Sequence, residues 1–249
     1  KLWLALWVCA ALLPRAAALS AAAAVTMDAD TGETLFAENA DSRLPMASTT
    51  KIMTALVALG EGDLDRVYTV KKQYAAVEGS SMYLEEGERL TLRDTLYGLL
   101  LSSGNDAAAA VAGECGGERA FVDKMNAKAR ELGLTDTRFE NPSGLPSDGH
   151  YTTARELAKI TAAALRDPVF RDIVSTKTCT AAGRTLVNHN RLLSLYKDAI
   201  GVKTGFTRAA GRCLVSAAER NGRTVIAVTL NDPDDWNDHI ALLDDAFSR

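Results

Sequence analysis

The spacing of hydrophobic and polar positions changes character twice along the chain. Near the start, Val25 and Met27, then Leu35 and Phe36, flank the turn cluster Asp28-Ala29-Asp30-Thr31-Gly32. That pattern predicts a β-hairpin, with glycine free to take a positive φ. Arg43-Leu44-Pro45-Met46 is expected to be extended, because the residue before a proline avoids the helical region. The apolar run Ile52 to Leu59 predicts a helix that starts at about Ser48 and stops near Gly60-Glu61-Gly62. After a short β-prone stretch, Val67 to Val70, helical spacing takes over. Helices are expected over Leu92 to Leu101, Asp106 to Ala112, Phe121 to Leu132 and from Thr153 to about Leu165. Thr91-Leu92-Arg93-Asp94 resembles a capping box with Asp in place of Glu, whereas Thr153-Ala154-Arg155-Glu156 has the usual composition. Asp167-Pro168 marks one more helix start.

The last third turns β-rich. Ile200 to Thr204, Arg212 to Ala218 and Thr224 to Leu230 read as strands, the last two joined by the hairpin signal Asn221-Gly222. Asp238 to Phe247 reads as a closing helix. Strands at both ends with helices between predict an α/β chain of the α+β type: an antiparallel sheet covered by helices, with a mostly helical insertion.

Composition adds limits rather than detail. At 249 residues the chain is long enough for one large domain or two small ones, and its 47% apolar and 24% charged residues are those of a globular protein. A net charge of −4 and no long basic run argue against nucleic acid as the main partner. Residues 1–24 are set apart: Lys1, an apolar stretch to Leu13, then Pro14, Arg15 and the small residues Ala16, Ala17 and Ala18 describe a secretory signal peptide with an approximate end at 24. Cys9 would leave with it, and Cys115, Cys179 and Cys213 contain no Cys-x-x-Cys pair, so buried free thiols are expected. The histidines His150, His189 and His239 lack metal-ligand spacing, so no metal site is expected. The chain does not begin with Met, and its ends are expected to be those of a fragment.

The chemistry centres on Ala47-Ser48-Thr49-Thr50-Lys51. A serine and a lysine three apart share one helix face, and a hydroxyl at a helix start sits at the positive end of the dipole. A desolvated lysine with a depressed pKa can take the serine proton. Ser103-Gly104-Asn105, at a break between helices, places a hydroxyl and an amide on a tight loop. Lys203-Thr204-Gly205, on a strand, adds a cation and a hydroxyl suited to a substrate carboxylate. Its glycine leaves a strand edge open to an extended peptide.

Each motif alone is weak. The ordered set Ser-x-x-Lys, Ser-x-Asn and Lys-Thr-Gly resembles that of penicillin-binding proteins and class A β-lactamases. With Asn141-Pro142-Ser143-Gly144-Leu145, His150-Tyr151-Thr152-Thr153-Ala154, Asn188-His189-Asn190-Arg191-Leu192-Leu193 and Gly201 to Thr207, the chain is most similar to the D-alanyl-D-alanine carboxypeptidases, the low-molecular-mass penicillin-binding proteins. The resemblance implies a transpeptidase-like fold over 25–249, with a five-stranded antiparallel sheet flanked by helices and a helical subdomain at about 66–165. It implies Ser48 as the acylated nucleophile, Lys51 as its proton acceptor, and Ser103 and Asn105 as proton shuttle and peptide contact. Lys203, Thr204, Gly205 and Phe206 would bind substrate, with the N–H groups of Ser48 and Phe206 as the oxyanion hole. The implied reaction removes the terminal D-alanine from peptidoglycan pentapeptide stems outside the cytoplasm, with β-lactams as covalent inhibitors and no cofactor.

Two departures accompany the resemblance. Some relatives place an arginine after the strand that follows Lys-Thr-Gly; here that region, Asn231 to Asp238, is acidic, leaving Arg208 or Arg212 for the role. Many relatives also carry a C-terminal β-sandwich and an amphipathic anchor, so peripheral membrane association is expected through a region that this sequence does not include. The alternatives are a class A-like β-lactamase, for which Glu140 is the only nearby candidate for the deacylating carboxylate, and a sensor or wall-binding module that acylates without turnover.

Overall fold

The computed structural model describes residues 19–249; the expected signal sequence, Cys9 included, lies largely outside them. Nine strands and nine helices occur among the described residues. Strands β1 (Ala23–Asp28) and β2 (Thr34–Glu38) form the expected hairpin. Helix α1 (Lys51–Leu59) is followed by β3 (Val67–Thr69), the short α2 (Lys72–Ala75) and β4 (Arg89–Thr91). Four helices come next: α3 (Leu92–Leu100), α4 (Asn105–Glu114), α5 (Glu118–Glu131) and α6 (Ala154–Leu165). Helix α7 (Pro168–Ser175), the hairpin β5 (Thr178–Ala181) and β6 (Arg184–Val187), and the short α8 (Leu192–Leu195) lead to β7 (Ala199–Thr207), β8 (Gly211–Arg220), β9 (Arg223–Leu230) and α9 (Asp235–Ser248). The main sheet has five antiparallel strands in the order β2-β1-β9-β8-β7, which leaves β7 on an edge.

Both faces of this sheet are covered, which is why its central strands read as continuous apolar runs rather than as alternating ones. Along β8, Cys213, Val215 and Ala217 face the large core built with α1 and α3 to α7. Leu214 and Ala218 face a smaller core beneath α9. The β8–β9 turn follows its residues: Asn221 and Gly222 have φ of 54° and 78°, the pair of positive values that a two-residue hairpin turn of type I′ requires. Cys115 and Cys213 are buried free thiols, and Cys179 is partly exposed.

Three expectations are corrected. The chain at Ser48 is not the start of an α-helix: Ala47–Thr50 form a 3₁₀ turn, and α1 begins at Lys51. Ala47, at φ 47°, bends the chain there into the left-handed region. The Thr153 box is only half made, since Thr153 accepts from the Glu156 N–H but Glu156 turns its buried carboxylate to Thr135 N, Asp136 N and Thr137 Oγ1. Those loop donors would otherwise be orphaned, and the two oxygens of one carboxyl group satisfy several at once. The Thr91–Asp94 box, by contrast, is complete despite the shorter acid. Finally, α9 opens at Asp235 rather than Asp238. Strand β1 pairs with β9 from Ala23 onward.

Candidate active site

Ser48 lies on the 3₁₀ turn between the edge strand β7 and the large core. Gly205 makes that approach feasible. A Cβ added there would stand 3.0 Å from Ser48 N, 3.1 Å from Ala47 Cβ and 3.2 Å from Met46 O. From below, Gly144 (φ 87°) tucks under the turn, where a Cβ would sit 1.9 Å from Ala47 O. The turn is thus held between two glycines. It is also braced from the side: His150 Nδ1 accepts from Glu140 N at 3.0 Å, which leaves Nε2–H to donate to Thr50 Oγ1 at 2.7 Å. Thr50 Oγ1 in turn donates to Ala47 O at 2.8 Å. Burial holds His150 neutral, with its pKa down at about 4.

Lys51, fully buried, points from the first turn of α1 into this centre. Its Nζ is 2.9 Å from Ser48 Oγ, 2.8 Å from Asn105 Oδ1 and 2.7 Å from Ser143 O. An ammonium has three N–H donors for these three acceptors; a neutral amine has two, and its lone pair is then free to face the Ser48 hydroxyl. Desolvation pushes the Lys51 pKa well below the ordinary lysine value, Lys203 pushes it further down, and the buried Asp106 carboxylate opposes both.

The Ser103 loop closes the other side. Ser103 is itself at φ 58°, a second left-handed non-glycine residue beside the site. Asn105 is anchored through N to Ser80 O (2.7 Å) and through Nδ2 to Glu78 O (2.7 Å), so its Oδ1 is aimed at Lys51. Asp106 accepts from Met82 N, Leu84 N and Ser81 Oγ and so fixes the segment that holds Asn105. Lys203 on β7 is almost fully buried; its Nζ donates to Thr204 O at 3.0 Å, and burial brings its pKa to about 7. Ser48, Ser103, Thr204, Gly205 and Phe206 line one cavity of about 290 Å³, together with Ser80, His189, Arg212, Asp235 and Trp236.

The three motifs therefore meet in one place, although Ser48, Ser103 and Lys203 are far apart in sequence. Sequence reasoning missed the groups that hold them. The Ser143 carbonyl is placed by Asn141, whose Oδ1 accepts from the N–H groups of Ser143, Gly144 and Leu145; the Asn-Pro-Ser-Gly turn cluster was the available signal. Glu140 is engaged within its own loop, by Ser147 Oγ and by Gly149 N at 3.2 Å, and not at Ser48. No cluster of metal-ligating side chains and no helix long and apolar enough to cross a membrane occurs among the described residues.

The sequence profile described as D-alanyl-D-alanine carboxypeptidase matches residues 10–234. The chain belongs to this family. It is 40% identical over 235 residues to the D-alanyl-D-alanine carboxypeptidase of Streptomyces sp. (strain K15), a match that covers 85% of this chain and 81% of that protein. It is 39% identical to D-alanyl-D-alanine carboxypeptidase DacF of Bacillus subtilis (strain 168), covering 92% of this chain but 62% of the relative. The crystal structure of the Streptomyces K15 DD-transpeptidase superposes with a TM-score of 0.89 at 37% identity, over 94% of this chain and 100% of that one. That of the Mycobacterium tuberculosis H37Rv D-alanyl-D-alanine carboxypeptidase gives 0.91 at 35% identity, over 96% and 95%. The family and the transpeptidase-like fold expected from the motifs are thus both borne out.

Proposed function

We propose that the chain is a serine D-alanyl-D-alanine carboxypeptidase that acts outside the cytoplasm on peptidoglycan stem peptides. The observation that carries the reading is the buried Lys51 Nζ at 2.9 Å from Ser48 Oγ, in a member of this family. Neutral Lys51 takes the proton as Ser48 Oγ attacks the carbonyl between the two terminal D-alanines. The N–H groups of Ser48 and Phe206 receive the developing oxyanion. Protonated Lys51, through Ser103, returns the proton to the leaving amine, and D-alanine departs. Water then attacks the ester and gives its proton to Lys51, which passes it to Ser48 Oγ as the acyl C–O bond breaks and the shortened peptide leaves. Asn105 holds the stem-peptide amide, while Lys203 and Thr204 attract the terminal carboxylate. An extended stem lies along the free edge of β7. Penicillins, which present a carboxylate beside a strained amide, acylate the same oxygen. The N-terminal segment directs export, and cleavage near Ala16 to Ala18 leaves the β1 pairing whole.

Relatives with the same architecture include D-alanyl-D-alanine endopeptidases of Pseudomonas aeruginosa and Escherichia coli. The test is therefore made with a defined peptide: diacetyl-L-Lys-D-Ala-D-Ala with wild type and Ser48→Ala. Wild type is expected to release D-alanine and the variant to release none. Equal release by both would refute the assignment.

A further inference from the structure

The terminal carboxylate is the charge that the proposed substrate brings into the cavity, and the acidic stretch Asn231 to Asp238 offers it no arginine. The same stretch builds something else. In the β7–β8 register Arg212 stands directly across from Phe206, so its side chain leaves the sheet on the face shared by Phe206 and Thr204. It reaches the cavity that also holds Ser48 and Thr204. Arg208, four residues earlier, is exposed and does not line it. Asp235, in the first turn of α9, accepts from Arg212 Nη2 at 2.9 Å, and its side chain is only 4% exposed. The Arg212 side chain remains 42% exposed. Trp236 restrains it from the side: the Arg212 and Arg191 guanidinium carbons lie 5.7 Å and 5.8 Å from the indole centroid. One edge of a rigid fork of five donors is thus fixed by Asp235, and its other donors are left for a ligand in the cavity.

We propose that Arg212 is the specificity-determining residue for a free carboxylate on the residue that leaves, with Asp235 and Trp236 as its positioning residues. The inference rests on the acyl-transfer reading above. The competing account is that Arg212 and Asp235 form only a structural tie between β8 and α9. The two accounts differ in what happens when the carboxylate is removed from the substrate instead of from the enzyme.

The experiment compares diacetyl-L-Lys-D-Ala-D-Ala with its C-terminal amide, following release of D-alanine or D-alaninamide, for wild type, Arg212→Gln, Arg212→Lys and Asp235→Asn. Wild type is expected to prefer the acid. Arg212→Gln is expected to lose about tenfold to a hundredfold in kcat/KM on the acid, the range of a charged hydrogen bond, and less than about twofold on the amide. Arg212→Lys should recover part of the preference through its charge, and Asp235→Asn should lower it less than Arg212→Gln does. Where Arg212→Gln does not fold, as read by thermal melting, Arg212→Lys carries the test with a several-fold loss confined to the acid. With a wild type that cleaves the acid, an equal loss on both substrates, or an Arg212→Gln variant that keeps the wild-type preference, would overturn the proposal alone. A wild type that cleaves neither peptide would overturn the acyl-transfer reading and the proposal with it.

Discussion

Gly205→Ala separates geometry at the nucleophile from stability of the fold. The substitution adds one methyl group on β7, in a backbone conformation that alanine adopts without strain, and would by itself stabilise the chain by about 0.4–1 kcal/mol through the unfolded state. The new Cβ meets Ser48 N at 3.0 Å, Ala47 Cβ at 3.1 Å and Met46 O at 3.2 Å. Ordinary contact begins near 3.4 Å or beyond, so the Ser48 turn or β7 must retreat by roughly 0.2–0.4 Å, at a cost of about 1–3 kcal/mol. The two effects partly offset, leaving a net cost of about 0–2.6 kcal/mol, and the melting temperature should fall by no more than about 10 °C. The displaced group is the amide proposed for the oxyanion hole. A misplacement of about 1 Å costs on the order of a hundredfold in rate, so a few tenths should cost roughly threefold to thirtyfold. The assay is the acylation rate with a fluorescent penicillin beside a thermal melt. A variant that acylates at the wild-type rate would refute the argument that Gly205 sets the Ser48 position. So would one that unfolds outright, because the site would then not be able to yield locally.

Three further outcomes follow from the same contacts. The kcat/KM of D-alanine release should rise with pH along a limb well below the ordinary lysine range, because burial lowers the Lys51 pKa and the neutral amine is the base; a rate that is flat across neutral pH would contradict this. Stability should fall as pH drops from about 6.5 to 4, since His150 and His239 are buried neutral, with pKa values of about 4 and 3, and the unfolded chain binds protons that the folded one refuses. Each group contributes up to about 3 kcal/mol to that slope, read from urea midpoints at pH 4.5 and 7 with His150→Gln expected to flatten it. Asn141→Ala should cost about 2–3 kcal/mol in urea unfolding, because it orphans the N–H groups of Ser143 and Gly144, and it should slow acylation as the Ser143 carbonyl leaves Lys51.

The sequence made the strands of the sheet legible because turn chemistry marked their ends: Asn221-Gly222 and the Asp28 to Gly32 cluster each joined the strands they predicted. The hairpin of β5 and β6 was missed because its short, mixed strands carry no clean period of two. Ser48 was misplaced onto an α-helix because the apolar run after it hides the tertiary pressure, from Gly205 and Gly144, that winds its turn tighter. Residue types and order nominated Ser48, Lys51, Asn105 and Lys203, which the structure brings together. Their supports were not legible, since the Ser143 carbonyl, the His150–Thr50 brace and the Asp106 anchor act through backbone groups or through pairs distant in sequence. Arg212 could be nominated but not chosen over Arg208 until the β7–β8 register set its side chain beside Thr204 and Phe206.

The central claim is that Ser48 becomes acylated because buried Lys51 accepts its proton. Intact-mass measurement after brief exposure to benzylpenicillin, followed by peptide mapping, tests it directly. The wild type should gain one penicilloyl group on the peptide that contains Ser48. Ser48→Ala should gain none, and Lys51→Met should acylate at least about a hundredfold more slowly. An adduct on another residue, an adduct that persists in Ser48→Ala, or a Lys51→Met variant that acylates at the wild-type rate would contradict the account.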